Sequence, residues 1–143
     1  MTTVTPPWAY ALQLPHDPHA PGIARKTLRA VLHSHGLTRL TDTAELLASE
    51  LVTNAYQHSR GPYGLRVRPI GPDRLRLAVW DSDPAIPVPF GPPPTSEDAE
   101  YGRGLQLVRL CAASWGAYVL GSGGKVLWAE CEEKGDCQWG DLL

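Results

Sequence analysis

Glu50-Leu51-Val52-Thr53-Asn54 lies inside a segment, Leu40 to Ser59, that reads as one long helix. At a spacing of four, the Glu50 carboxylate and the Asn54 amide stack on the same helical face. Leu46, Leu47, Leu51 and Ala55 supply an apolar stripe that presses this helix against a core. A carboxylate beside an amide above such a core makes a hard-oxygen site, suited to a hydrated magnesium ion and an oriented water. Taken alone, E-x-x-x-N is more often a solvated polar face. Two later features give it weight: Asp81 at the end of an apolar strand, and Gly102-Arg103-Gly104 at the opening of another helix.

The chain around this helix has 143 residues, enough for one domain with a sizeable core. Its apolar fraction of 43% and charged fraction of 20% are those of a globular protein. A net charge of -2 argues against nucleic-acid binding through bulk phosphate neutralisation. No apolar run is long enough for a membrane span, and the first seven residues lack the regions of a signal peptide, so a cytoplasmic location is expected. Cys111, Cys131 and Cys137 are odd in number and lack metal-ligand spacing, which predicts reduced thiols with Cys111 and Cys131 in the core. The five histidines are scattered, and a zinc site is not expected.

Outward from Glu50, the pattern predicts a short strand at Tyr10–Leu14 and then a helix starting near Pro21. That helix carries a stripe of Ile23, Leu28, Val31 and Leu32 and ends at Gly36. Thr38 or Thr41 is placed to cap the long helix, with Glu45 near a capping-box position. Tyr63–Pro69 and the alternating Leu75, Leu77 and Val79 predict an antiparallel hairpin about the Gly71-Pro72-Asp73 turn. Six prolines then fall between Pro84 and Pro94, and no period survives to Tyr101, which predicts a functional loop or lid over residues 84–101. Gly104–Ala113 reads as a third helix with Leu105, Val108 and Leu110 inward. Trp115–Leu120 and Lys125–Cys131 read as a second hairpin. Helices segregated from strands imply an α+β two-layer α/β sandwich, its mixed, mostly antiparallel sheet covered by helices on one face. The domain spans residues 10–132, with tails at 1–9 and 133–143.

Asp81 stands at the mouth of Leu75-Arg76-Leu77-Ala78-Val79-Trp80. A strand-end carboxylate can accept a hydrogen bond from an exocyclic amine such as that of adenine, worth about 1.5–3 kcal/mol when buried. The same aspartate also suits a simple turn in Asp81-Ser82-Asp83-Pro84. Gly102-Arg103-Gly104-Leu105 opens a helix where backbone amides and the helix dipole can meet a phosphate, with Arg103 adding a charged contact.

In this order and on these elements, the three features resemble the GHKL, or Bergerat-fold, ATPases, and most closely their small stand-alone branch of anti-sigma-factor serine/threonine kinases. Glu50-Leu51-Val52-Thr53-Asn54-Ala55-Tyr56-Gln57-His58 matches that branch's E-L-V-T-N-A-x-x-H box at every fixed position. Gly102-Arg103-Gly104-Leu105 matches its G-x-G-L box, and Gly124-Lys125-Val126-Leu127-Trp128-Ala129-Glu130 looks like its last strand.

The resemblance implies the Bergerat ATP-binding fold with ATP and Mg2+ as cofactors. Asn54 would coordinate magnesium, Glu50 would position or deprotonate the attacking group, and Asp81 would bind the adenine amine. Gly102 and Gly104 would belong to the ATP lid, with Arg103 and Leu105 beside them, and His58 would help order the site or merely favour the helix dipole. The implied partners are ATP/ADP, a sigma factor and its anti-sigma antagonist protein, and a second copy of the chain in a homodimer.

The family's D-x-G-x-G box reads Asp81-Ser82-Asp83-Pro84-Ala85 here, so both glycines are absent and Asp83 brings a second carboxylate toward the cofactor. Val126 stands where the superfamily favours a threonine. Two functions follow: an Mg-ATP-dependent protein serine/threonine kinase acting on an anti-sigma antagonist, or a degenerate GHKL-fold protein-binding module with weak or no nucleotide binding.

Overall fold

The computed structural model describes residues 8–87, 90 and 103–133. Five strands and three helices follow one another as β1 (Tyr10–Leu14), α1 (Ala20–Ser34), α2 (Thr41–His58), β2 (Tyr63–Pro69), β3 (Arg74–Asp81), α3 (Arg103–Cys111), β4 (Ser114–Val119) and β5 (Lys125–Glu132). The strands form one sheet in the order β1-β2-β3-β5-β4. All four pairings are antiparallel. The helices lie on one face, giving the α+β sandwich expected from the segregation of helices and strands.

Period-two alternation explains which strand residues are buried. Tyr63, Leu65 and Val67 on β2, Leu75, Leu77 and Val79 on β3, and Leu127, Ala129 and Cys131 on β5 face the helices and are buried. In register, Leu65 pairs with Val79, and Val79 with Leu127, so one apolar row crosses the sheet. The other face carries Arg74, Arg76, Glu130 and Glu132 in ion pairs. The Arg76 guanidinium lies 3.9 Å from the centre of the Trp128 ring.

Helix α2 spans the middle of the sheet and touches α1, α3, β2, β3 and β5. It buries Ala44, Leu47, Ala48, Leu51, Val52 and Ala55. Each fully buried leucine contributes about 1.5–3 kcal/mol relative to an exposed one. Neither Thr38 nor Thr41 caps this helix as predicted. A 3-10 turn, Thr38–Leu40, runs straight into it, and the Thr41 N–H is satisfied by the Thr38 carbonyl, so no hydroxyl is needed. Gly36 does follow α1 in the left-handed region, at φ 72°.

Several side chains differ from the sequence expectation. Ile23 is exposed, because it lies about 140° around the helix from Leu28, on the flank of an inward row made by Ala20, Ala24, Leu28, Val31 and Leu32. Leu110 is exposed for the same reason, two residues beyond buried Val108, while Leu105 and Cys111 hold the inner row of α3. Cys131 is the buried free thiol expected, and burial pushes it up to about 12. Cys111, expected to be reduced, is instead disulfide-bonded. Spatial closeness of Cα atoms, not motif spacing, governs such pairing. Trp8, assigned to the N-terminal tail, stacks on His35 at 4.1 Å.

Most of the expected lid lies outside the described residues. Residues 84–87 and Phe90 are described, and Phe90 is buried against the core, its ring 5.1 Å from that of Trp115. Among the described residues, no helix is long and apolar enough to cross a membrane.

Candidate functional site

The C-terminal half of α2 carries Glu50, Asn54 and His58. Glu50 is half-buried, and desolvation raises its carboxyl above the ordinary glutamate range. One turn on, Asn54 is only 8% exposed. Its Oδ1 has no hydrogen-bond partner among the described residues. A buried carbonyl-type oxygen left unpaired costs roughly 1–3 kcal/mol, so it needs a reason. His58, at the end of the helix, is exposed. His16 fastens this end of α2 by stacking on Tyr56 and bonding its carbonyl, Nε2 to O at 2.8 Å.

Beside this helix end lies the end of β3. Ser59 Oγ and Ser82 Oγ are 3.3 Å apart, which joins the residue after α2 to the residue after Asp81. Asp81 continues the inward row of Leu75, Leu77 and Val79 and is 2% exposed. Its Oδ1 accepts two hydrogen bonds, from Lys125 Nζ at 2.9 Å and from the Asp83 N–H at 2.8 Å. The Lys125 side chain is 1% exposed, so this ion pair is fully buried. Lys125 Nζ also donates to the Asp83 carbonyl at 2.9 Å. Asp83 turns its own carboxylate to the Ala85 N–H at 3.0 Å. Gly124 completes the packing: a Cβ there would stand 2.2 Å from the Asp81 carbonyl oxygen.

The third predicted part of the site is only partly in view. Gly102 lies outside the described residues. The backbone of Arg103 and Gly104 forms the first turn of α3, and Leu105 is buried in the core. Helix α3 packs on α2, the helix that carries Glu50 and Asn54.

The two ends of the site differ in how they suit Mg-ATP. At the α2 end the fit is good: an unpartnered amide oxygen beside a half-buried carboxylate is a donor set for a hard, hydrated cation. At the β3 end the fit is poor for an exocyclic amine. One oxygen of the acceptor meant for it, Oδ1, is already bonded twice, and the carboxylate's charge is compensated by an ammonium group. Lys125 is the residue that sequence reasoning passed over. A signal existed: it holds the inward phase of Leu127, Ala129 and Cys131, an unusual place for lysine without a counter-charge. Its partner emerges only from strand register, which sets Lys125 opposite Asp81.

Residues 14–130 match the model of the histidine kinase-like ATPase domain. No individual curated protein matches the chain significantly. That match covers most of the chain and both ends of the site, including the box from Glu50 to His58, and implies ATP binding. The chain therefore belongs to the histidine kinase-like ATPase domain family, within the GHKL superfamily.

Proposed function

We propose that this protein is an Mg-ATP-dependent regulatory protein with serine/threonine kinase activity toward an anti-sigma antagonist, and that it also sequesters a sigma factor. The observation that carries the reading is the buried, unpartnered Asn54 Oδ1, one helical turn from a desolvated glutamate on the same face. ATP with magnesium would supply the phosphoryl group and the charge neutralisation that its transfer needs. Asn54 would offer Oδ1 to the cation. Glu50 would orient the acceptor serine hydroxyl and take its proton, a role for which a raised carboxyl pKa is suited. Arg103 and the backbone of Gly102 and Gly104 would face the phosphates, with residues 84–101 as lid and His58 and Leu105 supporting the two helices. The reading places the protein in the cytoplasm, as a homodimer.

The test is transfer of labelled phosphate from ATP to a serine of a cognate antagonist, with and without magnesium. Magnesium-dependent transfer that is lost in Glu50→Gln is expected. ATP binding without transfer to any antagonist would remove the kinase assignment.

A second reading, a degenerate docking module, is favoured by one specific observation: the buried Lys125–Asp81 pair at the base end of the site. Calorimetry with millimolar Mg-ATP separates the two, since the module would give no binding heat.

A further inference from the structure

We propose that Lys125 sets the base selectivity of the nucleotide site by taking an acceptor position on Asp81 and cancelling its charge, so that nucleotides are held through their phosphates with little discrimination among bases. This inference rests on the nucleotide-site reading above.

Three features of the geometry support it. A carboxylate oxygen offers about two acceptor positions. On Asp81 Oδ1 both are taken, by Lys125 Nζ at 2.9 Å and the Asp83 N–H at 2.8 Å. Second, Asp81 and Lys125 are 2% and 1% exposed, so their charges cancel within the protein interior. An incoming amine would meet a compensated carboxylate and lose the advantage of a charged acceptor. Third, Lys125 also holds the Asp83 carbonyl at 2.9 Å. Asp83 occupies the position where the resembled family carries the first glycine of its D-x-G-x-G box. The same ammonium therefore fills Oδ1, neutralises the carboxylate and pins the backbone that a base would have to approach, leaving only a charge-compensated Oδ2 to an amine. The α2 end is untouched by this arrangement, and its free Asn54 oxygen remains available for magnesium.

A purely structural role for the pair would move stability but not the ratio of affinities for different nucleotides. The experiment is therefore competition binding of Mg-ATP, Mg-GTP and Mg-tripolyphosphate against a fluorescent nucleotide, with the full chain and with Lys125→Met. The wild type is expected to bind ATP and GTP within about threefold of each other, and Lys125→Met to prefer ATP by about tenfold or more. A wild-type preference for ATP of about tenfold, or an unchanged ratio in a folded Lys125→Met variant, overturns the inference. ATP binding by Lys125→Met alone also overturns it, because the wild type would then not hold nucleotides through their phosphates, and removes the kinase. Lack of binding of any triphosphate by either protein overturns the nucleotide reading itself, and the assignment of Lys125 with it. Lys125→Met strands a buried carboxylate. If it does not fold, the wild-type ratio, which needs no substitution, decides.

Discussion

Asn54 and Glu50 separate two effects that a single substitution usually mixes. The Asn54 Oδ1 makes no hydrogen bond within the described protein, so removing it forfeits no internal bond. Asn54→Ala is expected to weaken Mg-nucleotide binding by about tenfold or more without lowering the melting temperature of the free protein. Calorimetry with and without magnesium, beside a thermal melt, checks both halves.

Glu50 is destabilised by its surroundings instead. Desolvation raises its folded-state pKa, so the native protein binds this proton more tightly than the unfolded chain does. Its favourable contribution is complete below the unfolded glutamate pKa and is lost as pH rises through the folded value. At neutral pH the ionised carboxylate therefore weighs against the fold, and Glu50→Gln is expected to melt higher than wild type. The gap should close as pH falls through about 4, and melts across that range measure it. In the same variant phosphoryl transfer should fall, because glutamine cannot take the proton.

At the scale of elements, the site depends on how the β4–β5 hairpin sits against β3. Gly124 is the contact point, since any side chain there would meet the Asp81 backbone rather than a movable side chain. Gly124→Ala should force β5 away from β3 at this end, destabilise the protein by roughly 1–3 kcal/mol and separate Lys125 from Asp81. Denaturant unfolding gives the first effect, and a changed ATP/GTP affinity ratio the second. Strand boundaries were readable at this scale: β2 and β3 fall at the predicted residues because strict alternation has one phase that buries its apolar set. Helix faces were less readable. Ile23 and Leu110 are apolar residues in helices that already had a sufficient inward row, and only packing shows which stripe is used.

The whole molecule couples these parts through α2, which touches both other helices and three of the five strands. A ligand bound at its last turns therefore stabilises the whole domain. At about 100 times its dissociation constant, Mg-ATP adds about 2.7 kcal/mol, which raises the melting temperature of a domain this size by roughly 5–10 °C. Differential scanning fluorimetry reads the shift directly. GTP should give nearly the same shift if Lys125 acts as proposed, and Asn54→Ala should cut it to about half or less for both.

The amino-acid sequence alone determined the α+β class, the strands of the central hairpin and the helix that carries Glu50 and Asn54. Each of these depends on local periodicity or on a contiguous run of residues, and both survive in one dimension. Tertiary structure decided what becomes of Asp81. Its neighbour Lys125 is 44 residues away in sequence, and only the β3–β5 register places the two side chains together in an interior where neither charge could remain alone.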